Sequence, residues 1–293
     1  MKEAVRISGD NLSAEIFLPD DPEGYYRGTR FDRSGIFSSL ISGGKELAGQ
    51  WFESYDPLMH DAVKGPAEEF TETGFDSCVP GECFLKTGVG LLRRPDSQPY
   101  DRFRLYEMVD PGVWEVEKSE GGILFRQHLD RDGFAYIYEK EILLGEDLRI
   151  RHRLLNEGSR TLEGEVYNHN FFTFGRLETT PDRQIDFSFR PEGEWRAVYD
   201  SVRLTGNGIR FTRPLEKGES VYMGDLRSAG GVTPCDITLK ESSCGRSVRI
   251  SSDRYLSHIV FWANHRIACV EPYIPYFIVP GEEFRFTVKY IFG

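Results

Sequence analysis

Two short stretches of this 293-residue chain carry side chains suited to moving protons. Tyr167-Asn168-His169-Asn170-Phe171-Phe172-Thr173-Phe174 sets an imidazole among aromatic rings and amides. Cys269-Val270-Glu271-Pro272 places a carboxylate at the end of the apolar run Ile267-Ala268-Cys269-Val270. If the carboxylate is partly buried, desolvation raises its pKa toward neutrality, where a general base works best. A histidine and a glutamate meeting in an aromatic-lined cleft form an acid/base pair that suits proton transfer to and from a sugar, whose C–H faces pack on rings. The two residues lie 102 positions apart, so only the fold can bring them together.

Each residue also has a plainer reading. A lone histidine beside Phe171 and Phe172 is more often a hydrogen-bonded core residue, and a carboxylate at a strand end is often simply solvated. On a strand, His169 and Phe171 share one face while Asn168 and Asn170 share the other. The other histidines (His60, His128, His152, His258 and His265) lack a comparable local setting.

Arginines form a further cluster in Tyr25-Tyr26-Arg27-Gly28-Thr29-Arg30-Phe31-Asp32-Arg33. Guanidinium groups donate paired hydrogen bonds to hydroxyls or anions, so Arg27 and Arg30 are candidate substrate-binding residues; surface ion pairs with acids such as Asp32 are the alternative. Lys86, in Phe84-Leu85-Lys86-Thr87-Gly88-Val89-Gly90, is another candidate, although a lone Gly-x-Gly is a weak phosphate signal and a solvated lysine beside a turn is the plainer account. Asn168 and Trp262 complete the set, Trp262 as a stacking face or as a buried core ring.

The elements that must position these groups read as strands. Period-two alternation marks Leu12–Leu18, Val113–Glu117, Phe134–Leu144, Leu148–Leu155 and Phe284–Phe292. Gly145-Glu146-Asp147 turns Phe134–Leu155 into a long antiparallel hairpin. Pro272 predicts that a strand ends at Glu271. No amphipathic helix of three turns, linker or internal repeat interrupts the pattern, so residues 1–293 are expected to form one all-β domain, a large antiparallel sandwich. The least regular region, about Gly43 to Tyr106, is long enough to be functional, and its aromatic and charged mixture predicts loops packed over one sheet face.

Composition narrows the function. Apolar residues make up 39% and aromatics 13%, ample for a packed core. A net charge of −11 argues against nucleic acid as a partner, which would require a basic patch. No run reaches the roughly 18 apolar residues of a membrane span, and the charged, alternating N-terminal residues lack the apolar block of a signal peptide, so the cytoplasm is expected. The five cysteines (Cys78, Cys83, Cys235, Cys244 and Cys269) are odd in number and lack zinc-type spacing, implying neither a disulfide framework nor a metal.

Together these segments resemble the aldose 1-epimerase (galactose mutarotase-like) superfamily. Asn168-His169 followed by Phe171-Phe172 is similar to that family's Asn-His-x-x-Phe segment. Cys269-Val270-Glu271-Pro272 is similar to the segment carrying its C-terminal base, and Val279-Pro280-Gly281-Glu282 to its closing Pro-Gly turn. The family's upstream His-Gly segment has no evident counterpart; Lys86-Thr87-Gly88 stands roughly in its place.

The resemblance implies a β-supersandwich of the galactose mutarotase type with an open sugar cleft. It implies His169 as general acid, Glu271 as general base, a sugar or sugar phosphate as substrate, and no cofactor or metal, because both steps are proton transfers. Other classes on such a scaffold are a non-catalytic carbohydrate-binding protein and a glycan-cleaving enzyme; the latter would need a second acid near Glu271. Oligomeric state is not written in the chain.

Overall fold

A computed structural model of the chain describes residues 4–19, 23–197 and 200–293. Among these residues every regular element is a β-strand. The strands form sheets of ten, six, four and three members, paired antiparallel.

Alternating side chains explain the larger sheet. Phe134–Leu144 buries every second residue along its whole length, the pattern of a strand with one face on a core. It pairs with Leu148–Asn156 through a turn in which the Gly145 N–H donates to the Asp147 carbonyl at 3.0 Å. Glu283–Phe292 then lies between Leu148–Asn156 and Arg246–Leu256.

The six-stranded sheet runs in the order Pro191–Ala197, Ser220–Ser228, His258–Asn264, Ala268–Ile278, Leu162–His169 and Ala67–Phe70. One apolar cluster takes Ile150, Val248 and Val288 from the larger sheet and Val166, Phe261 and Val270 from this one, so the two sheets share a core. All six side chains are fully buried, each contributing roughly 1.5–3 kcal/mol of hydrophobic stabilisation. Period two then obliges the intervening residues, among them Tyr167, His169, Trp262, Glu271 and Tyr273, to face away from that core.

Glu271 does not end a strand. Ala268–Ile278 runs straight through Pro272 and Pro275. Proline lacks an N–H to donate, but the ladder to Leu162–His169 stops at Tyr167↔Tyr273, one position short of Pro272. The ladder to His258–Asn264 likewise stops at His258↔Tyr273, before Pro275. Each proline therefore stays in one ladder, Pro272 opposite Ile259 and Pro275 opposite Glu165, and falls just beyond the end of the other. The expected Pro-Gly turn follows: Glu282 N–H donates to the Val279 carbonyl at 3.0 Å, and Gly281 takes φ +84°, a conformation that favours glycine.

The irregular region from Gly43 to Tyr106 contributes the edge strand Ala67–Phe70 to the six-stranded sheet. Cys83–Lys86 and Gly90–Arg93 join Glu107–Asp110 in the three-stranded sheet. Its remaining loops bring Trp51, His60, Arg102 and Phe103 to the cavity described next.

Candidate functional site

The strand register assembles the centre of the site. Leu162–His169 pairs with Ala268–Ile278 from Leu162↔Ile278 to Tyr167↔Tyr273. Continuing that register two residues sets His169 opposite Glu271, on the same face. His169 Nε2 lies 3.2 Å from Glu271 Oε1. A slip of one residue would turn one of them into the core, and a slip of two would separate them by about 7 Å.

The pair lies in a cavity of about 570 Å³, within the usual range for small-molecule sites. Rings enclose it. Phe171 stacks on His169 with centroids 3.7 Å apart, and Phe31 meets its edge at 5.9 Å. Trp262 stands perpendicular to His169 at 6.3 Å and to Trp51 at 5.4 Å.

Beside the pair is a buried charge cluster centred on Glu69. Its Oε2 accepts from Arg30 Nε at 2.7 Å and from the Tyr167 hydroxyl; its Oε1 accepts from Lys86 Nζ at 3.0 Å. Arg102 Nε stands 4.0 Å away, while Arg102 Nη1 donates to the hydroxyls of Tyr167 and Tyr273 at 3.2 and 3.3 Å. Burial alone would raise the Glu69 carboxyl, but Lys86, Arg30 and Arg102 outweigh it and hold it far below the usual carboxylate range. Three cations against one carboxylate leave this wall positive.

Those charges shape the pair. Burial, followed by the Arg30 charge, pushes the His169 imidazole well below its ordinary value. Burial pushes the Glu271 carboxyl up to about 7, although Arg30 and Arg102 pull it the other way. His169 Nδ1 is buried without a hydrogen-bond partner among the described residues, so the imidazole's polar contact there is with the carboxylate. Among the described residues, no group of three or more His, Cys, Asp or Glu side chains has an arrangement that could hold a metal ion.

No protein-family model matches the sequence, and no curated relative does. Solved structures do match in three dimensions. A galactose mutarotase-like protein from Lactobacillus casei ATCC 334 superposes with a TM-score of 0.57 at 14% identity, covering 99% of this chain and 100% of its own. One from Clostridium acetobutylicum gives 0.59 at 14% identity, over 99% and 95% of the two chains. The aldose epimerase homologue from C. elegans gives 0.58 at 13% identity, over 100% and 99%. The fold is galactose mutarotase-like.

Within this mutarotase-like fold the side chains proposed from sequence separate into two groups. His169, Glu271, Arg30 and Trp262 line one cavity. Lys86 does not: it is fully buried rather than solvated, because its ammonium is needed to neutralise Glu69 and donates also to the Tyr100 hydroxyl at 3.1 Å. Asn168 faces the opposite side of its strand, as alternation requires, and donates to Glu68 Oε1 at 2.7 Å within the core. Arg27 does not line this cavity; its backbone N–H donates to the Pro57 carbonyl at 2.7 Å and its own carbonyl accepts from Arg33. Asp32 is a core residue too, bonded to Ser34, Tyr138 and Lys140 rather than to the neighbouring arginines.

Sequence reasoning missed several cavity residues. His60, set aside for want of a local setting, packs on Phe103 at 4.8 Å with Nδ1 3.3 Å from Arg30 Nη1. His258 stacks on Tyr273 at 4.2 Å. Period two carried the signal for His258, which shares a strand face with Trp262. Arg102 and Trp51 come from loops, where no periodicity exists to find them.

The raised Glu271 carboxyl has a consequence for stability. Above pH 7 the folded chain must hold an ionised buried carboxylate, and a shift from 4.5 to about 7 costs roughly 3 kcal/mol. A raised folded pKa stabilises only below the unfolded value, and that stability is lost as pH rises through 7. Glu271→Gln is therefore expected to stabilise the fold by about 2–3 kcal/mol at pH 8, with the gain fading toward pH 4.5. Denaturation curves at both pH values check this, and an equal gain at both refutes it.

Proposed function

We propose that this protein interconverts the anomers of an aldose by acid/base ring opening. The observation that carries the reading is the contact between His169 and Glu271, with the carboxyl held near neutrality in an aromatic-walled cavity. The mutarotase-like fold agrees with it, and one neighbour in that fold is the aldose epimerase homologue from C. elegans.

Ring opening moves one proton off the anomeric hydroxyl and one onto the ring oxygen. Glu271 takes the first as the C1–O5 bond breaks; the bonding pair goes to O5, which takes a proton from His169 Nε2. Rotation about C1–C2 turns the other face of the aldehyde, and closure returns both protons. The exchange needs a single catalytic proton on the pair. Ionised Glu271 beside Nε2 draws that proton to the imidazole by Coulomb attraction, against the depression that burial and Arg30 impose.

Arg102 is the cavity cation that an anionic substituent would meet, its side chain one-third exposed while that of Arg30 is buried. A panel of free and phosphorylated hexoses therefore belongs in the test. Freshly dissolved single anomers are followed by polarimetry or exchange NMR. Acceleration is expected, with kcat/KM falling as pH rises through about 7, because the pair then loses the single proton that the exchange requires. Saccharide binding with no acceleration at any pH would reduce the site to a binding module; release of reducing ends from an oligosaccharide would make it a hydrolase.

A further inference from the structure

A second cavity, of about 700 Å³, opens beside the first, and Trp51 and Trp262 line both. It carries two polar atoms without a hydrogen-bond partner among the described residues. Asp61 is only 4% exposed, and its Oδ1 has no hydrogen-bond partner. Arg266 Nε is also buried and unpartnered. Native structures satisfy nearly all buried polar atoms. An unsatisfied acceptor and an unsatisfied donor lying just beneath one groove leave hydrogen-bonding capacity that a small outward turn of either side chain would offer to a ligand.

The groove's chemistry limits what that ligand is. Glu219 is held by Arg213 and Glu53 by Lys217, which leaves Asp56 and Asp61 facing it against the cation Arg266. This acidic excess repels phosphate and other anions. Carboxylates accept from hydroxyls and a guanidinium donates to them, while the shared indoles offer apolar faces. Clustered hydroxyls on a ring with a C–H face meet all three demands.

We propose that this groove is a second saccharide subsite, and that the natural ligand is a reducing di- or oligosaccharide. Its anomeric ring lies over His169 and Glu271, and the next ring crosses Trp51 and Trp262 to reach Asp61 and Arg266. The placement of the anomeric ring rests on the 1-epimerase reading; the groove's affinity for a second ring does not.

The test separates binding from catalysis. Maltose, cellobiose, isomaltose and lactose are titrated against tryptophan fluorescence beside glucose and galactose, and anomer exchange is measured on the same samples. At least one disaccharide is expected to bind about tenfold more tightly than its constituent hexoses. Asp61→Asn and Arg266→Ala are each expected to erase most of that advantage and leave hexose binding unchanged. The two variants remove different partners, so loss of folding in one leaves the other to decide. Equal affinity for hexoses and every disaccharide in the parent protein overturns the subsite, as does a disaccharide preference that both variants retain. Disaccharide preference without anomer exchange would keep the subsite and sink the 1-epimerase reading; no saccharide binding would end both.

Discussion

Glu271→Gln and His169→Gln are each expected to lower protein-driven anomer exchange by roughly 10²–10⁴-fold, the usual contribution of a positioned general acid or base. Both replacements keep the side chain close to its original volume. Glutamine at position 271 cannot take up the anomeric proton, and at position 169 it has none to give at neutral pH. His169→Ala would give the same loss but would also remove the ring that Phe171 stacks on. Because the residues form one relay across 3.2 Å, their effects should not add: the double variant is expected to be little slower than either single one. Exchange NMR on a single-anomer sample measures this. A single variant retaining more than a tenth of the parent rate would falsify the assigned roles, and a double variant slower by the product of both factors would show two independent groups.

Glu69→Gln is expected to destabilise the fold by about 3–5 kcal/mol, the cost of removing one partner from a buried ion cluster. The loss falls on three cations together, because Arg30, Lys86 and Arg102 all converge on this carboxylate. Tyr167, which donates to the carboxylate, would compete with them for the one remaining carbonyl oxygen. With Glu69 neutral, the unopposed arginines would also lower the Glu271 carboxyl and depress His169 further, in keeping with the sign of its influence on each. The midpoint of urea denaturation should therefore fall, and the falling limb of the pH–rate profile should move to lower pH in whatever protein remains folded. A loss under 1 kcal/mol would show that solvent, rather than Glu69, neutralises these cations.

The two cases separate chemistry from support. His169 and Glu271 would touch the substrate, whereas Glu69 acts through Arg30, Arg102 and Tyr167. That division follows from one strand pairing, since Tyr167↔Glu69 and His169↔Ala67 are neighbours in the same ladder. Alternation carries the argument one step further: Glu68, next to Glu69, turns the other way and is held by Lys140 and Asn168 inside the core.

Much of this was legible in the chain because it is local. Alternation marked Phe134–Leu144 with its observed bounds and Leu148–Asn156 to within a residue, since side chains on a pleated strand must face opposite ways. The same rule put His169 and Asn168 on different faces, and so already told against Asn168 as a ligand of the cavity. What the sequence could not determine was where separate segments meet. The closeness of His169 and Glu271 depends on a register between strands a hundred residues apart, and nothing in either segment encodes the other. Lys86 and Arg102 both carry a positive charge beside glycine- or proline-rich turns; only packing buried one against Glu69 and left the other on the cavity. Pro272 looked like a strand end because the ladder that spares it an N–H belongs to a distant strand. Periodicity is a property of the chain, whereas burial, partner and pKa are properties of the neighbours that tertiary structure supplies.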